Sequence, residues 1–145
     1  MPQLVFELIT PEGLKLEERV YEVILPTPLG QIGVLPYHIP LISIVTPGVI
    51  SLRRHKETAY EDKEHIVTSG GFVEISGKRV RLLSDGAERA EDVDEFKARQ
   101  ALERAREMQQ TAQSEVALAD ATRLIETNIA RLKVAQLKRR RRSSR

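Results

Sequence analysis

The sequence predicts an α+β fold in which an N-terminal β-sandwich is followed by a C-terminal pair of helices. All 8 glycines and all 7 prolines lie within residues 1–86, and residues 87–145 contain neither. Apolar side chains alternate with polar ones in the first part, and they recur every three or four residues in the second. These are the periods of strands and of helices. We therefore predict a sandwich domain over residues 1–86 and a helical domain over residues 87–145.

Short runs rich in β-forming residues, separated by turn residues, make up the first part. The predicted strands are Gln3–Thr10, Val20–Leu25, Val49–Arg54, Gly71–Ile75 and Arg79–Leu83, and Ala59–Thr68 is expected to be a polar hairpin. In the last strand Val80 and Leu82 should face the core, while Arg79 and Arg81 face solvent. Short strands at this close spacing are typical of a sandwich or a barrel.

Two apolar stripes at helical spacing predict the helices of the second part. The first stripe is Ala98, Ala101, Ala105, Met108 and Ala112, and the second is Leu118, Ala121, Ile125, Ile129 and Leu132. Either Asp92 or Asp94 fits the N-cap of the first helix. The polar segment Gln109–Ser114 permits a turn without enforcing one, because it has no glycine or proline. A hairpin and a single long helix are therefore both open.

Composition argues against several functional classes. Without cysteine the chain has no disulfide, thiolate metal site or thiol chemistry, and without tryptophan a carbohydrate-binding sandwich is disfavoured. Neither a signal peptide nor an apolar run of membrane-spanning length is evident. The histidines His38, His55 and His65 lack metal-ligand spacing. Because Gly30–Gly33 lacks the third glycine and the helix of a dinucleotide motif, it is interpreted as a strand turn. We expect a non-catalytic protein without a metal.

Charge is distributed unevenly along the chain. The formal net charge is +2, yet residues 127–145 carry eight basic and no acidic side chains. Such a basic end predicts an acidic partner, either a protein surface, phosphates or lipid head groups. A frayed, solvated terminus is the simpler alternative for Arg139–Arg145.

Three motifs follow one another along the chain. The first is Gly30-Gln31-Ile32-Gly33-Val34-Leu35-Pro36-Tyr37-His38-Ile39-Pro40-Leu41. The second is Ser69-Gly70-Gly71-Phe72-Val73-Glu74-Ile75, and the third is Ala87-Glu88-Arg89-Ala90-Glu91-Asp92-Val93-Asp94. In this order and at these separations the three motifs resemble one known family, the epsilon subunit of F-type ATP synthase, and the resemblance covers nearly the whole chain.

The resemblance implies a sandwich of about ten strands followed by a two-helix hairpin. It implies a non-catalytic rotor subunit whose sandwich binds the gamma subunit and the membrane-embedded c-ring. It also implies a hairpin that either lies on the sandwich or extends to the alpha and beta subunits and restrains ATP hydrolysis. The expected location is peripheral, on the cytoplasmic side of a bacterial plasma membrane or the corresponding side of another coupling membrane. Contact with the membrane is expected only through the complex.

Interface residues follow from the resemblance and from the charge pattern. The family places the loop that contains Leu29 and Gln31 against the c-ring, and His38 is expected near gamma. The single-signed field of the last helix suggests that Arg131, Lys133 and Lys138 contact acidic residues of the catalytic head.

Some family members bind regulatory ATP on the hairpin through an Asp-x-x-Arg-Ala motif and further arginines. Here Asp94 and Lys97 occupy the matching positions, so the first arginine is replaced by lysine. Arg104 and Arg123 resemble retained positions, and Thr127 replaces an arginine. Lysine keeps the charge but lacks the bidentate fork of arginine. We expect no firmly bound cofactor and at most weak ATP binding.

A nucleic-acid-binding module that uses the basic C-terminal helix is the alternative function. It predicts basic residues over the whole fold, whereas residues 1–86 carry 9 basic and 11 acidic side chains. No nucleic acid is therefore expected as a partner. A salt titration of duplex DNA binding distinguishes the two functions, because neutralised phosphates give a steep slope.

Overall fold

The computed structural model describes residues 2–143, which form ten strands and two α-helices. The strands are β1 (Leu4–Thr10), β2 (Gly13–Val20), β3 (Glu22–Thr27), β4 (Gly30–Val34), β5 (Leu41–Val45), β6 (Gly48–Arg53), β7 (Glu64–Thr68), β8 (Gly71–Ser76), β9 (Arg79–Ser84) and β10 (Ala87–Arg89). The helices are α1 (Glu95–Thr111) and α2 (Glu115–Ser143), and short 3-10 turns occupy Tyr60–Asp62 and Ala90–Asp92. The predicted sandwich followed by helices is confirmed.

The strands form two five-stranded sheets that pack face to face. The first sheet has the order β2-β1-β9-β8-β5, and the second has the order β10-β7-β6-β3-β4. Strands β1 and β9 run parallel, and the other paired strands are antiparallel. The inner faces enclose a core of leucine, isoleucine, valine and one phenylalanine, Phe6. Val80 and Leu82 are completely buried in it, as predicted.

Three details of the sandwich differ from the sequence prediction. The expected hairpin Ala59–Thr68 is wrong, since a 3-10 turn precedes the single strand β7. The expected strand turn Gly30–Gly33 is also wrong, because these residues form β4 and pair with β3. The second sheet continues past the boundary predicted at residue 86, because β10 pairs with β7. In each case pairing across the sheet, rather than local residue preference, decides the outcome.

The helices form a hairpin with its break at residues 112–114. Asp94 is the N-cap of α1, and its side chain accepts a hydrogen bond from the Lys97 amide at 3.1 Å. Ser114 restarts the chain as α2 by accepting from the Ala117 amide at 3.0 Å. Side-chain capping thus supplies the turn that glycine or proline supplies elsewhere. Of the two alternatives left open by the sequence, the hairpin is confirmed.

Both helical stripes are shifted from their predicted positions. On α1 the buried side chains are Ala98, Leu102 and Ala105, whereas Met108 is 45% exposed. On α2, Ile129 was expected in the seam but is 49% exposed. Because α2 packs against both α1 and the second sheet, its buried residues are distributed over two faces and not along one stripe.

No helix within residues 2–143 is long and apolar enough to cross a membrane.

Candidate functional site

Helix α2 lies on the second sheet through small apolar side chains. Val67 of β7 and Val93, which lies just before α1, pack with Ala130, Val134 and Ala135 of the helix. All five are at least nine-tenths buried. Alanine and valine bring the backbones close but bury little area each, so this contact contributes modestly to stability.

Polar contacts surround the small apolar patch under α2. Arg131 Nε donates to Glu88 Oε2 at 2.9 Å, and Arg131 Nη1 donates to Asn128 Oδ1 at 2.9 Å. The side chains of Arg131 and Glu88 are only 19% and 30% exposed. Lys138 Nζ donates to the carbonyl oxygens of Ala90 and Glu91, both at 3.3 Å. Two of the three residues predicted to contact the catalytic head are therefore bound within the chain in this conformation.

The remaining basic residues of α2 have varied surroundings. Arg123 pairs with Asp85 at 3.5 Å, and Arg139 pairs with Glu95 at 3.2 Å. Lys133, the third residue predicted for the catalytic head, is exposed. Within the predicted basic tail, residues 144 and 145 and the side chains of residues 142 and 143 lie outside the described part.

His65 lies on β7 near the C-terminal half of α2. Its Nδ1 is joined to Ser51 Oγ of β6 by a 2.9 Å hydrogen bond. Burial lowers the pKa of His65, and the positive charges of Lys63, Arg141 and Lys133 lower it further. With α2 lying on the second sheet, the neutral form of the His65 imidazole is therefore favoured.

The predicted ATP residues are spread along the hairpin. Asp94 caps α1, Lys97 and Arg104 are exposed on α1, and Arg123 lies on α2 beside Asp85 and Asp120. On α2 it is Arg139 that reaches the start of α1, where it pairs with Glu95 at 3.2 Å. Arg123 lies sixteen residues earlier on α2, or about 24 Å along the helix axis. The structure does not bring these side chains into one cluster, and ATP binding stays a prediction.

The predicted c-ring residues lie at one end of the second sheet. Leu29, at the β3–β4 turn, is 101% exposed, and Gln31 follows it on the exposed edge strand β4. Thr27 stiffens this turn, because its hydroxyl donates to the Gly30 carbonyl at 2.6 Å and accepts from the Leu29 amide at 3.3 Å. The turn therefore exposes the Leu29 side chain fully on a loop that two hydrogen bonds hold in place.

His38 lies at the other end of β4, in the loop that leads to β5. A 2.6 Å hydrogen bond joins its Nδ1 to the carbonyl oxygen of Ile39. The preceding Tyr37 adopts a left-handed conformation with a φ of 71°. His38 is thus separated from the Leu29 turn by the length of a strand. Both predicted interfaces stay predictions.

An apolar row on the outer face of the first sheet escaped the sequence prediction. Registered pairs join its members from strand to strand: Ile44 with Phe72, Phe72 with Leu83, Leu83 with Ile9 and Ile9 with Leu14. We call these five residues the outer apolar row. Ile44 is 64% and Phe72 46% exposed, and neighbouring Ile42 is 73% exposed. Within residues 2–143 the helices pack elsewhere, since α2 lies on β6 and β7 of the second sheet and α1 packs against α2.

One feature of the sequence points to this row. Leu41–Val45 contains four apolar residues in five, so both faces of that strand are apolar. A strand at the edge of a sandwich with one wet face should alternate, and a two-sided apolar edge strand therefore indicates a contact surface. The assignment also needs the register of four other strands, which the sequence does not supply.

A metal site is not apparent: residues 2–143 contain no group of three histidine, cysteine, aspartate or glutamate side chains that could hold an ion.

Comparison with known proteins assigns the fold to a family. Residues 3–90 match the family model described as ATP synthase, Delta/Epsilon chain, beta-sandwich domain. The chain belongs to the ATP synthase delta/epsilon family. The ATP synthase epsilon chain of Moorella thermoacetica is 38% identical over 93% of this chain and 98% of its own length. That of Carboxydothermus hydrogenoformans is 42% identical over 70% of this chain and 72% of its own.

Solved structures from the same family of assemblies share the fold. A chain of the Euglena gracilis mitochondrial ATP synthase, solved with OSCP, F1 and c-ring, aligns with a TM-score of 0.75 and 24% identity. The alignment covers 94% of this delta/epsilon family member and 82% of that chain. A chain from the central stalk and c-ring of the Tetrahymena thermophila enzyme aligns with a TM-score of 0.58, at 13% identity over 90% and 94% of the two chains. At these sequence identities the alignments show a shared fold and nothing further.

Proposed function

We propose that the chain is a non-catalytic epsilon subunit in the central stalk of an F-type ATP synthase. In this role it couples c-ring rotation to the catalytic head through gamma. The names of the relatives, and the central-stalk origin of the Tetrahymena thermophila chain that shares the fold, support the role. The observation that carries it in this chain is the uncovered outer apolar row, because a sandwich that worked alone would keep that face polar.

The outer apolar row fits the gamma subunit as its partner. Ile42 and Ile44 lie on β5, which is also an edge strand of the first sheet. An apolar face beside an open edge suits a permanent subunit contact, which buries apolar area and pairs free backbone groups. We assign the contact with gamma to this corner, with His38 in the adjoining loop.

The Leu29 turn fits the c-ring. It projects from the second sheet at the end opposite His38, so one molecule could contact two rotor components at once. Through such contacts the subunit is peripheral to a coupling membrane, on its cytoplasmic or corresponding side, without itself entering the bilayer.

The hairpin supplies the restraint of ATP hydrolysis in this proposal. Arg131, Lys133 and Lys138 would contact acidic residues of the alpha and beta subunits once α2 leaves the sandwich. Several exposed ion pairs of about 0.2–1 kcal/mol each suffice to shift a two-state hairpin appreciably. Weak regulatory ATP binding at Asp94, Lys97, Arg104 and Arg123 would favour one of the two states.

Co-purification with gamma tests the proposed role. We expect the double variant Ile42→Ser and Ile44→Ser to lose gamma, since it removes two exposed apolar anchors while leaving the core intact. The control is Ile129→Ser, which removes the same apolar side chain from α2, where it is 49% exposed against 73% and 64% for Ile42 and Ile44. Retention of gamma by the β5 variant would contradict the assignment.

A second measurement addresses the hairpin. Complexes assembled with the full chain or with residues 1–93 should differ in ATP hydrolysis, the truncated complex being faster. Equal rates would show that the hairpin does not restrain hydrolysis and would leave the assignment of the gamma contact untouched.

A further inference from the structure

The segment that joins the sandwich to α1 is strongly acidic. Residues 85–95 contain six carboxylates and one arginine. We call this segment the acidic linker. It leaves β9, forms β10 along the edge of the second sheet, passes through a 3-10 turn and ends at the first residue of α1. Its path follows the side of α2.

Basic residues of α2 are bound by the acidic linker along much of the helix. The arginine partners of Asp85, Glu88 and Glu95 are Arg123, Arg131 and Arg139 at 3.5, 2.9 and 3.2 Å. Lys138 adds hydrogen bonds to two linker carbonyl oxygens. These contacts extend over sixteen residues of helix, about 24 Å.

We infer that the acidic linker is an internal substitute for an acidic protein surface. It occupies the arginines and the lysine that such a surface would bind, so the docked helix and a helix bound to an acidic partner exclude each other. The linker therefore sets the threshold at which α2 leaves the sandwich. Acidic polymers and high ionic strength release the helix by competing for, or screening, the same charges.

The apolar contact under α2 is small, so the contribution of the ion pairs to docking of the helix should be measurable. It consists of alanines and valines. Each exposed ion pair shifts an equilibrium by up to about fivefold, and the Arg131–Glu88 pair is the most buried of those between linker and helix. Removing single charges should therefore change the docked fraction measurably.

Thiol labelling of the full-length chain measures the docked fraction. The chain has no cysteine, so Ala130→Cys creates a single reporter at a position that is 5% exposed beneath α2. The rate of alkylation reports how often the helix opens. We expect this rate to rise between about 0.02 and 0.5 M NaCl. At constant ionic strength we expect poly-L-glutamate to raise it further, with uncharged dextran as the matched polymer.

Two charge variants in the reporter background make the test specific. Glu88→Gln should raise the alkylation rate by up to about fivefold. The control Glu103→Gln removes the same charge from α1, where Glu103 contacts only its helix neighbour Arg106 among the ion pairs described, and it should leave the rate unchanged. The exchange of Glu88→Arg with Arg131→Glu restores an opposite-charge pair and should return the rate toward that of the parent.

The inference is overturned if poly-L-glutamate acts no more strongly than dextran, or if Glu88→Gln behaves like Glu103→Gln. Either result would mean that apolar packing holds the helix. The identity of the acidic partner as the alpha and beta subunits rests on the proposed function. The labelling experiment uses the isolated chain, so its outcome is independent of whether the chain restrains ATP hydrolysis in a complex.

Discussion

Gly71 shows how strongly one residue can be constrained by the close packing of a sheet. Its φ is +155°, and a Cβ atom placed there would overlap the carbonyl oxygen of Leu83 on β9. The neighbouring Thr68 and Ser84 hydroxyls, both buried, are joined at 2.8 Å and fix the same corner. The backbone of β9 occupies the space that a side chain at position 71 would need.

Gly71→Ala should therefore destabilise the protein by about 2–4 kcal/mol, because both the backbone angle and the space are unfavourable. Gly77→Ala is the matched control. Gly77 also has a positive φ of +60° but no atom within 4 Å of a Cβ, so its cost should be only about 1 kcal/mol. Urea unfolding of both variants measures the difference, and equal losses would contradict the steric explanation.

His65 connects stability to pH at the residue scale. Its native pKa is lowered by burial and by Lys63, Arg141 and Lys133, whereas the unfolded chain titrates near the ordinary value of about 6.5. The unfolded state then binds more protons, so this contribution is intact above pH 6.5 and is lost as the pH falls below it.

As the pH falls from about 7.5 to 5.5, we expect the free energy of unfolding to decrease on account of His65. His65→Gln should flatten this dependence, whereas His55→Gln, at an exposed position, should preserve it. Urea titrations at a series of pH values measure the slope. An unchanged slope in the His65 variant would assign the effect to other groups.

At the scale of elements, each helix begins where a side chain caps its first amides. Of the two candidates for the α1 cap, Asp94 and not Asp92 makes the hydrogen bond. Ser114 does the same for α2. Capping divides a stretch without glycine or proline into two helices.

Asp94→Ala should cost about 1 kcal/mol, because it leaves an amide of the first turn without its partner. Asp92→Ala removes the same charge two residues earlier and should cost much less. Thermal unfolding followed by circular dichroism compares the two variants. Equal shifts would indicate a general charge effect in place of the cap.

On the scale of the whole molecule, the sandwich contains the main core and the hairpin adds a separate, smaller one. Residues 1–93 should therefore fold alone, with a cooperative melt, and should bind gamma. Residues 1–86 should melt lower by roughly 5 °C, because β10 and its pairing with β7 are missing. A non-cooperative melt of residues 1–93 would show that the sandwich depends on the hairpin.

Much of the architecture follows from the sequence by itself. The confinement of glycine and proline to one part, the inward Val80 and Leu82, and the helical spacing of the other part are local properties, and local periodicity suffices to predict them. The candidate site was harder to predict from the sequence. The basic helix was evident from charge, but the carboxylates that bind it were not assigned as its partners.

Which surfaces meet depends on long-range packing. Glu88 and Arg131 are 43 residues apart in the sequence. The parallel pairing of β1 with β9 likewise brings together strands from near the beginning and near the end of the sandwich domain's sequence. The outer apolar row requires the register of five strands at once. Such contacts depend on how faces pack after the elements have formed, since burial of shared apolar area selects one arrangement among many with the same local pattern.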